Sequence, residues 1–437
     1  MRTIAAIATP LINSAIHIIR ISGPDTFKIV QKICKHKINI KPNSIQHNFI
    51  VDKNLKIVDE VLLNIFVGPK SFTGENIIEI NCHGGNVVTK KIFNLLLING
   101  CEAAKNGEFS QQAYLNNKIS YMQIEAMNNL INASTEKAAD ISMQGLVDSN
   151  NSDIKKIRDK IFDIMGSIEV NIDYPEYDDV PNYTNQEIII MLKKLNQQIR
   201  LIINNSKMIA PIFHGLNISI IGLPNTGKSS LLNFLLNDEK AIVSNIKGTT
   251  RDIVEGKFDF YGLPINLLDT AGIRKSTNQI EKMGIKKTLD VINKSDLIIY
   301  LVENQKQNQT IVDLLTNKNF IKVNTKADKY DYPKNEINIS VKNHDINSLV
   351  KRLKKEVGKI INFSTNDLIL QSDRQITLME KIEANILDAI NSLQANATTD
   401  LIQSNLEESI KLFNNILGYN FDYDKLDELF CKFCLGK

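Results

Sequence analysis

The segment ISIIGLPNTGKSSLLNFLL, residues 218–236, reads as an apolar strand, a glycine-rich loop and an apolar helix. The loop has the spacing Gly222-x-x-x-x-Gly227-Lys228-Ser229. Glycines at these positions let successive backbone N–H groups turn toward phosphate oxygens, and the helix N-terminus adds positive potential. In such a loop the lysine reaches the β- and γ-phosphates, and the serine hydroxyl ligates Mg²⁺. The pattern predicts a nucleotide-binding α/β domain within this 437-residue chain.

Two further motifs supply the groups that a bound Mg²⁺ and a γ-phosphate require. INLLDTAG, residues 265–272, is a second apolar strand that ends in Asp269, where a carboxylate would hold Mg²⁺. Gly272 in the same motif would donate its N–H to the γ-phosphate. Between the two strands, GTTRD contains Thr249 and Thr250, a source of a second Mg²⁺-ligating hydroxyl. This order makes a chance glycine-rich loop a poor explanation.

The identity of the base is predicted from two motifs further along the chain. IKVNTKAD, residues 321–328, ends in Asp328, whose carboxylate can accept both the ring N–H and the exocyclic amine of guanine. Adenine offers no such pair of donors, so the motif favours GTP over ATP. In INISVKN, residues 337–343, backbone amides of the Ser-Val-Lys run can meet the guanine oxygen. Five ordered elements together predict a G domain.

These motifs leave open which group orients the attacking water. Ras-like switches use a glutamine directly after the DTAG element, but this chain has Ile273 there, whose side chain can only pack. Glu281, eight residues further on, either orients the water, directly or through a second water, or is a solvated carboxylate at a helix start. Asn225 either helps to ligate a monovalent cation beside the phosphates or stabilises the loop.

The composition places the chain among ordinary globular proteins, with 43% apolar and 23% charged residues. A formal charge of +3 neither requires nor excludes a nucleic-acid partner. Five scattered cysteines do not form a disulfide framework and are typical of a reducing compartment. The N-terminal segment lacks a signal-peptide core, and no run approaches the roughly 20 apolar residues that span a bilayer. We therefore expect a cytoplasmic protein without a membrane segment.

The pattern along the chain predicts a multidomain α+β and α/β fold. Residues 1–118 mix short strands with a helix that ends near Gly100, and 119–210 carry apolar residues at helical spacing. Residues 211–362 alternate strands and helices, and helical spacing returns over 363–437. A Ras-like P-loop G domain is thus expected as an insertion into a discontinuous helical-bundle domain.

Five blocks of sequence resemble the MnmE (TrmE) family of tRNA-modification GTPases, and together they extend over the whole chain. Four lie outside the G domain and are specific to that family. They are FVGPKSFTGENIIEINCHGGNVV at 66–88, GEFSQQAYLNNKISYMQIEAMNNLI at 107–131, IDYPEYD at 172–178 and FCKFCLGK at 430–437. The fifth is the G-domain run itself, which small GTPases share.

The resemblance implies a homodimer built through N-terminal domains that bind 5-formyltetrahydrofolate or a related one-carbon tetrahydrofolate. It implies a heterotetramer with the flavoprotein MnmG, which adds a carboxymethylaminomethyl or aminomethyl group to C5 of the wobble uridine of certain tRNAs. It also implies G domains that are activated by potassium-dependent pairing. Which tRNAs are modified, and whether ammonium or glycine is the nitrogen donor, stay open.

The motifs and the resemblance assign the site residues as follows. The GTP site comprises Asn225, Thr226, Gly227, Lys228, Ser229, Ser230, Ser244, Asn245, Ile246, Lys247, Gly248, Thr249, Thr250, Asp269, Thr270, Ala271, Gly272, Thr325, Lys326, Asp328, Ser340, Val341 and Lys342. The assigned Mg²⁺ ligands are Ser229 and Thr250. The assigned K⁺ ligands are Asn225, Ser244, Ile246 and Thr249. The folate contacts fall on Arg20, Glu79, Lys118 and Lys437. Glu281 matches the water-orienting glutamate, and Cys434 is either a nucleophile or a packing residue.

The chain departs from the family pattern at several positions. Residues 10–15 read PLINSA where the family has a Gly-Arg-Gly-rich turn, and Gln112 stands where the family has arginine. Thr325 replaces the asparagine that begins the guanine motif, which keeps the specificity of Asp328 but loses an amide contact. We therefore expect a lower nucleotide affinity. Val341 stands where the family has alanine and Leu435 where it has isoleucine, and both of these changes are mild.

Other functions fit the sequence less well. A ribosome-assembly GTPase of the Era or EngA type would carry an RNA-binding domain after the G domain, whereas helical segments flank the G domain here. A scaffold with an inactive G domain is disfavoured because all five nucleotide elements survive. The CKFC spacing at 431–434 has no second cysteine pair to complete a zinc site and no thioredoxin-like setting.

Overall fold

The computed structural model describes residues 2–147, 149–173, 184–237, 254–268, 289–361, 368–395, 399–419 and 436. The chain divides into two compact units. The first unit comprises Met1–Asn128 and Ile410–Lys437, and the second comprises Asn129–Ser409. The first unit therefore joins two ends of the sequence that lie far apart along the chain.

A six-stranded sheet forms the centre of the first unit, with the strand order β3-β4-β5-β2-β1-β6. Its strands are β1 (Ile4–Ile7), β2 (Ile16–Ser22), β3 (Ser44–Val51), β4 (Ile57–Phe66), β5 (Ile77–His83) and β6 (Glu102–Ala103). The pairings are antiparallel except that of β1 with β6. One face packs against helices α1 (Thr26–Ile33) and α2 (Asn86–Ile98).

The alternation of side chains along β2 determines which residues can reach a ligand. Ile19 and Ile21 are fully buried in the core beneath the two helices. Because successive side chains of a strand point to opposite faces, Arg20 lies on the other face of the sheet. Helix α3 (Glu108–Leu115) supplies Phe109 to a small apolar cluster with Ile4.

The strands and the helix that the sequence predicts for this unit are confirmed. The short strands expected within residues 1–118 include β1 and β2 at the N-terminus. The runs EVLLNIFV and NIIEINC correspond to β4 and β5, and the predicted helix ending near Gly100 is α2. The sequence did not predict α1, which is only eight residues long, or β3. β3 is an edge strand whose exposed Ile45 obscures the alternating pattern.

Gly418, which directly follows the last described helix, is hydrogen-bonded within the first unit. That helix is α12 (Thr399–Leu417), whose last residues belong to the first unit, as do the first residues of α4 (Tyr121–Ile131). The hydroxyl of Tyr114 donates a hydrogen bond to the carbonyl oxygen of Gly418. Gly418 has a φ of 84°, and a Cβ there would lie 2.6 Å from Cβ of Tyr121. Only glycine fits this position without a shift of its neighbours.

The second unit contains a five-stranded sheet with the order β11-β10-β7-β9-β8. Its strands are β7 (Leu216–Gly222), β8 (Val254–Phe260), β9 (Leu263–Leu268), β10 (Leu297–Glu303) and β11 (Phe320–Thr325). All pairings are parallel except that of β8 with β9. Helices α8 (Lys228–Asn237), α9 (Gln309–Leu315) and α10 (Asn347–Ile361) accompany the strands. This is the alternating α/β arrangement that the sequence predicts.

Long helices lead into this sheet and follow it. They are α5 (Glu136–Leu146), α6 (Ser149–Asp173), α7 (Asn185–His214) and α11 (Asp373–Gln394). A reciprocal capping box of Thr184 and Glu187 begins α7, and Gly215 ends it immediately before β7. Ile209 and Ile212 of α7 are buried in the same core as the strands, so the helix end fixes where β7 starts. None of the described helices combines the length and the apolar character needed to cross a membrane.

Candidate functional site

The phosphate loop lies between the end of β7 and the start of α8. Gly222 is the last residue of β7, and a Cβ there would lie 2.7 Å from the carbonyl oxygen of Leu301 and 2.9 Å from Oγ1 of Thr226. The buried hydroxyl of Thr226 donates to the carbonyl oxygen of Leu223 at 2.8 Å. The first glycine of the motif is therefore required by the close passage of β10 and by this internal bond.

The turn of the loop depends on two positive φ angles. Asn225 is exposed with a φ of 64°, and Gly227 has a φ of 92°. Asparagine and glycine tolerate this left-handed region better than other residues. Helix α8 then begins at Lys228, and the N–H groups of its first turn have no carbonyl partner within the helix. This geometry suits anion binding, and it leaves the Asn225 side chain on the surface of the loop.

Lys228 is held across the loop by backbone carbonyls. Its Nζ donates to the carbonyl oxygens of Gly222 at 2.9 Å and of Leu223 at 2.8 Å. The ammonium group therefore lies against the concave side of the loop rather than extending into solvent. Ser229 follows it, half-buried in the first turn of α8. A lysine ammonium and a serine hydroxyl at these positions fit the phosphates and Mg²⁺ of a nucleotide.

The guanine motif is ordered around the carboxylate of Asp328. The hydroxyl of Ser340 donates to Oδ1 of Asp328 at 2.8 Å. This hydrogen bond, assisted by the charges of Lys342 and Lys329, holds the pKa of the exposed Asp328 carboxyl below its usual value. Ser340 is itself fixed by two backbone hydrogen bonds with Asp345, of 2.8 and 2.9 Å. The carboxylate is thus kept ionised and oriented as an acceptor.

Thr325 and Lys326 connect this motif to β10. Thr325 is buried, and its Oγ1 lies 3.4 Å from the carbonyl oxygen of Val302. Lys326 has a φ of 60°, and its Nζ lies 2.7 Å from Oε2 of Glu303. The backbone of Val341, next to Ser340, accepts a hydrogen bond from the N–H of His344 at 3.2 Å.

Parallel pairing brings the phosphate loop and the guanine motif to one edge of the sheet. Leu301 of β10 pairs with Gly222, and Glu303 pairs with Thr325. Both loops therefore leave the carboxyl ends of strands that lie on either side of β10. Two strand spacings separate them by about 10 Å, which is close to the reach of a nucleotide from base to phosphates. Ligands of open α/β sheets bind at this edge.

Several predicted site residues lie outside the described residues. They are Ser244, Asn245, Ile246, Lys247, Gly248, Thr249, Thr250, Asp269, Thr270, Ala271, Gly272, Glu281, Cys434 and Lys437. Within the described ranges, no group of three or more His, Cys, Asp and Glu side chains is arranged to hold a metal ion. The hydroxyl of Ser229 and the side-chain carbonyl of Asn225 suit Mg²⁺ and K⁺ respectively, as hard oxygen ligands.

The first unit brings together two of the predicted folate contacts, Arg20 and Glu79. Nε and NH2 of Arg20 lie 2.9 and 2.8 Å from Oε1 of Glu79, its directly opposite residue on β5. NH1 of Arg20 donates to the carbonyl oxygen of Gly436 at 2.9 Å. A Cβ on Gly436, whose φ is 92°, would lie 2.7 Å from Cα of Ala8. The backbone that precedes Lys437 is therefore held against β2.

Lys118 contacts the turn of the FTGE block in the same unit. Its Nζ donates to the carbonyl oxygen of Pro69 at 3.0 Å. A Cβ on Gly74 would lie 3.3 Å from Cγ of Lys118, so the side chain covers the turn of the FTGE block. Asn116 reinforces the contact by donating to the carbonyl oxygen of Thr73 at 2.6 Å. Lys118 is thus anchored to the 68–74 turn.

Sequence reasoning missed neighbours that complete both sites. Asn64 of β4 is the pairing partner of Glu79 of β5, and Nδ2 of Asn64 lies 3.5 Å from Oε2 of Glu79. The centre of the Phe109 ring lies 5.8 Å from the guanidinium carbon of Arg20. Glu303 and Tyr332 support the guanine motif. Phe109 lies within the GEFSQQ block and Glu303 ends an apolar strand, but Asn64 and Tyr332 carry no recognisable sequence signal.

Comparisons with known proteins cover the whole chain. The family model for the GTP-binding protein TrmE N-terminus matches residues 3–118, and that for the MnmE helical domain matches residues 122–434. A tRNA modification GTPase MnmE from Ureaplasma parvum is 44% identical over 440 residues, which cover 100% of both chains. The protein of that description from Mycoplasmoides gallisepticum is 45% identical and covers 100% of this chain and 98% of its own.

A solved G domain gives a weaker match. The G domain of the T. maritima FeoB iron transporter covers 33% of this chain and 98% of its own length at 24% identity, with a TM-score of 0.24. That score supports no conclusion. The full-length relatives and the two family models, by contrast, account for both units. This chain is accordingly a GTP-hydrolysing member of the MnmE family of tRNA modification GTPases.

Proposed function

We propose that this GTPase acts on tRNA together with the flavoprotein MnmG in the cytoplasm. GTP hydrolysis would drive the addition of a carboxymethylaminomethyl or aminomethyl group at C5 of the wobble uridine. The observation that carries the proposal is the similarity over the full length of the chain to proteins described as tRNA modification GTPases. The homodimer and the heterotetramer with MnmG belong to the same proposal.

In the GTP site, roles are proposed for four described side chains and for Thr250 and Glu281, which lie outside the described residues. Lys228 neutralises charge on the β- and γ-phosphates, and Ser229 provides a hydroxyl ligand for Mg²⁺, with Thr250 as the second. Asp328 accepts hydrogen bonds from guanine while Ser340 keeps it oriented, at the 2.8 Å distance given above. Glu281 orients the attacking water, since Ile273 follows the DTAG element.

In the N-terminal site, Arg20 and Glu79 are proposed to bind a one-carbon tetrahydrofolate with Lys118 and Lys437. A carboxylate beside a guanidinium suits the pterin amide edge, and cationic side chains suit the glutamate tail. The folate, when bound, supplies the one-carbon unit. Supporting the proposal, Arg20 is 22% and Glu79 16% exposed, so the ion pair is partly desolvated yet reachable.

The domain boundaries are proposed from the sequence. They are 1–118 for folate binding and dimerisation, 119–210 and 363–437 for the two parts of the helical domain, and 211–362 for the G domain. This division places the GTP site in the G domain, and it places the folate contacts in the N-terminal domain and, with Lys437, at the end of the helical domain.

The decisive experiment is nucleoside analysis of tRNA from cells that lack this protein. We expect loss of the C5 substituent on wobble uridine and its return when the gene is restored. An unchanged wobble uridine together with altered ribosomal particles would instead favour an assembly GTPase of the Era or EngA type.

Potassium dependence tests the proposed mode of activation. GTP turnover is expected to be at least about tenfold faster in potassium than in sodium buffer, because K⁺ would add positive charge beside the phosphates. Asn225→Gly, which removes the side-chain carbonyl and keeps a residue that tolerates the φ of 64°, should remove the stimulation and leave the slow turnover in sodium in place. Equal rates of the parent protein in the two buffers would contradict this role of Asn225.

A further inference from the structure

The hydroxyl of Tyr332 joins two backbone segments at the carboxyl edge of the second sheet. It donates to the carbonyl oxygen of Thr325 at 2.8 Å and accepts a hydrogen bond from the N–H of Asn304 at 2.8 Å. The side chain is half-buried, and burial raises the pKa of Tyr332. The phenol therefore keeps its proton and acts as donor and acceptor at once.

The turn that receives this support is conformationally costly. Asn304 and Gln305 have φ angles of 48° and 56°, and the N–H of Lys306 closes the turn on the carbonyl oxygen of Glu303 at 3.0 Å. Two consecutive non-glycine residues in the left-handed region are conformationally disfavoured, Gln305 more than Asn304 because asparagine tolerates this region. The hydroxyl of Tyr332 supplies this turn with one hydrogen bond from outside it.

The guanine motif is tied to the same turn. Thr325 begins the motif at the end of β11, and Glu303 at the end of β10 is its pairing partner. Glu303 also forms the ion pair with Lys326. The hydroxyl of Thr325 lies 3.4 Å from the carbonyl oxygen of Val302, at the outer limit of a hydrogen bond. The hydrogen bond from the phenol of Tyr332 to Thr325 is shorter than this side-chain contact of Thr325.

We propose that Tyr332 is a positioning residue for guanine recognition, which fixes the peptide between Thr325 and Lys326 so that Asp328 faces the base. The proposal rests on the GTP site proposed above and adds a residue outside its motifs. Tyr332 acts through the backbone, by tying the start of the guanine motif to the turn after β10. The hydrogen bond from Tyr332 compensates for the side chain of Thr325, whose hydroxyl makes only a 3.4 Å contact with the carbonyl oxygen of Val302.

The test uses the full-length protein with Tyr332→Phe, which removes one hydroxyl and keeps the ring. Binding of fluorescent GDP is measured by equilibrium titration, and GDP and IDP are compared as competitors. We expect GDP affinity to fall about three- to tenfold, the effect of losing one or two hydrogen bonds. The preference for GDP over IDP should shrink, because IDP lacks the exocyclic amine that Asp328 accepts. KM for GTP should rise by a similar factor while kcat at saturating GTP stays unchanged.

Tyr300→Phe is the matched control. The buried Tyr300 hydroxyl of β10 accepts a hydrogen bond from the N–H of Asn308 at 3.1 Å, at the start of α9 and away from the guanine motif. This variant loses a similar phenol-to-backbone bond in the same sheet. It should change thermal stability as much as Tyr332→Phe does, and leave GDP affinity and base preference as they are.

Three outcomes would overturn the proposal. They are unchanged GDP affinity in Tyr332→Phe, an equal loss in both variants, and an unfolded Tyr332→Phe protein. The last two would assign Tyr332 a structural role alone. Failure of the parent protein to bind any guanine nucleotide would instead overturn the GTP site on which the proposal depends.

Discussion

The phosphate loop and the Arg20 site differ in how their parts are distributed along the chain. The loop from Gly222 to Ser229 is contiguous, so a single stretch of sequence specifies both its backbone and its donors. The Arg20 site joins β2, β5 and the backbone of Gly436, which is 416 residues away. A contiguous site can be recognised in the sequence from the spacing of its residues alone. A site that is assembled by strand register can be recognised only in the folded structure.

The largest expected effect is at the contiguous site. Lys228→Ala removes the ammonium held over the loop by Gly222 and Leu223. GTP turnover at saturating GTP should fall about 100-fold or more, as when a charge-stabilising donor is lost from an active site. Affinity for 5-formyltetrahydrofolate, measured by titration, should stay the same because the loop and the folate contacts share no residues.

Lys257→Ala is the control for that variant. Lys257 is exposed on β8 of the same sheet and belongs to none of the nucleotide motifs. Its removal should leave turnover unchanged. A comparable fall in both variants would mean that loss of surface charge, not loss of a phosphate contact, explains the result.

A smaller effect is expected at the dispersed site. Arg20→Lys keeps the charge but removes the guanidinium fork that contacts Glu79 and Gly436 together. Folate affinity should fall about tenfold, and GTP turnover without folate should be unaffected. Arg2→Lys is the matched control, because Arg2 also bridges two partners in this unit, Glu102 and Glu108. An equal loss in both variants would contradict a role for Arg20 in the folate site.

The same contrast explains what could be predicted from sequence. The glycines and Lys228 are recognisable because their function depends on near neighbours in the chain. Arg20 and Glu79 drew attention only through a family resemblance, since one charge in a strand has no local signal. Tyr332 was invisible because its role depends on β10 lying beside β11, which is a property of the sheet order.

The smallest expected effect concerns the pH dependence of guanine binding. Asp328 accepts a hydrogen bond from Ser340, which is the main reason that its pKa is lowered. Guanine needs the ionised carboxylate, so affinity is present above this pKa and is lost as pH falls through it. Ser340→Ala removes the donor and should raise the pKa toward the ordinary value of about 3.9. The acid limb of GDP affinity should then move to higher pH.

Titration of fluorescent GDP binding from neutral pH downward measures that shift, with Ser348→Ala as the control. The hydroxyl of Ser348 donates to the carbonyl oxygen of Asn338 at 2.6 Å, so this variant loses a serine hydrogen bond in the same domain without touching Asp328. At neutral pH we expect only about a two- to threefold loss for Ser340→Ala, because Asp328 is ionised there with or without the donor. Coincident acid limbs in the two variants would show that Ser340 does not tune Asp328. The lowered pKa of Asp328 would then be due to the nearby charges of Lys342 and Lys329 instead.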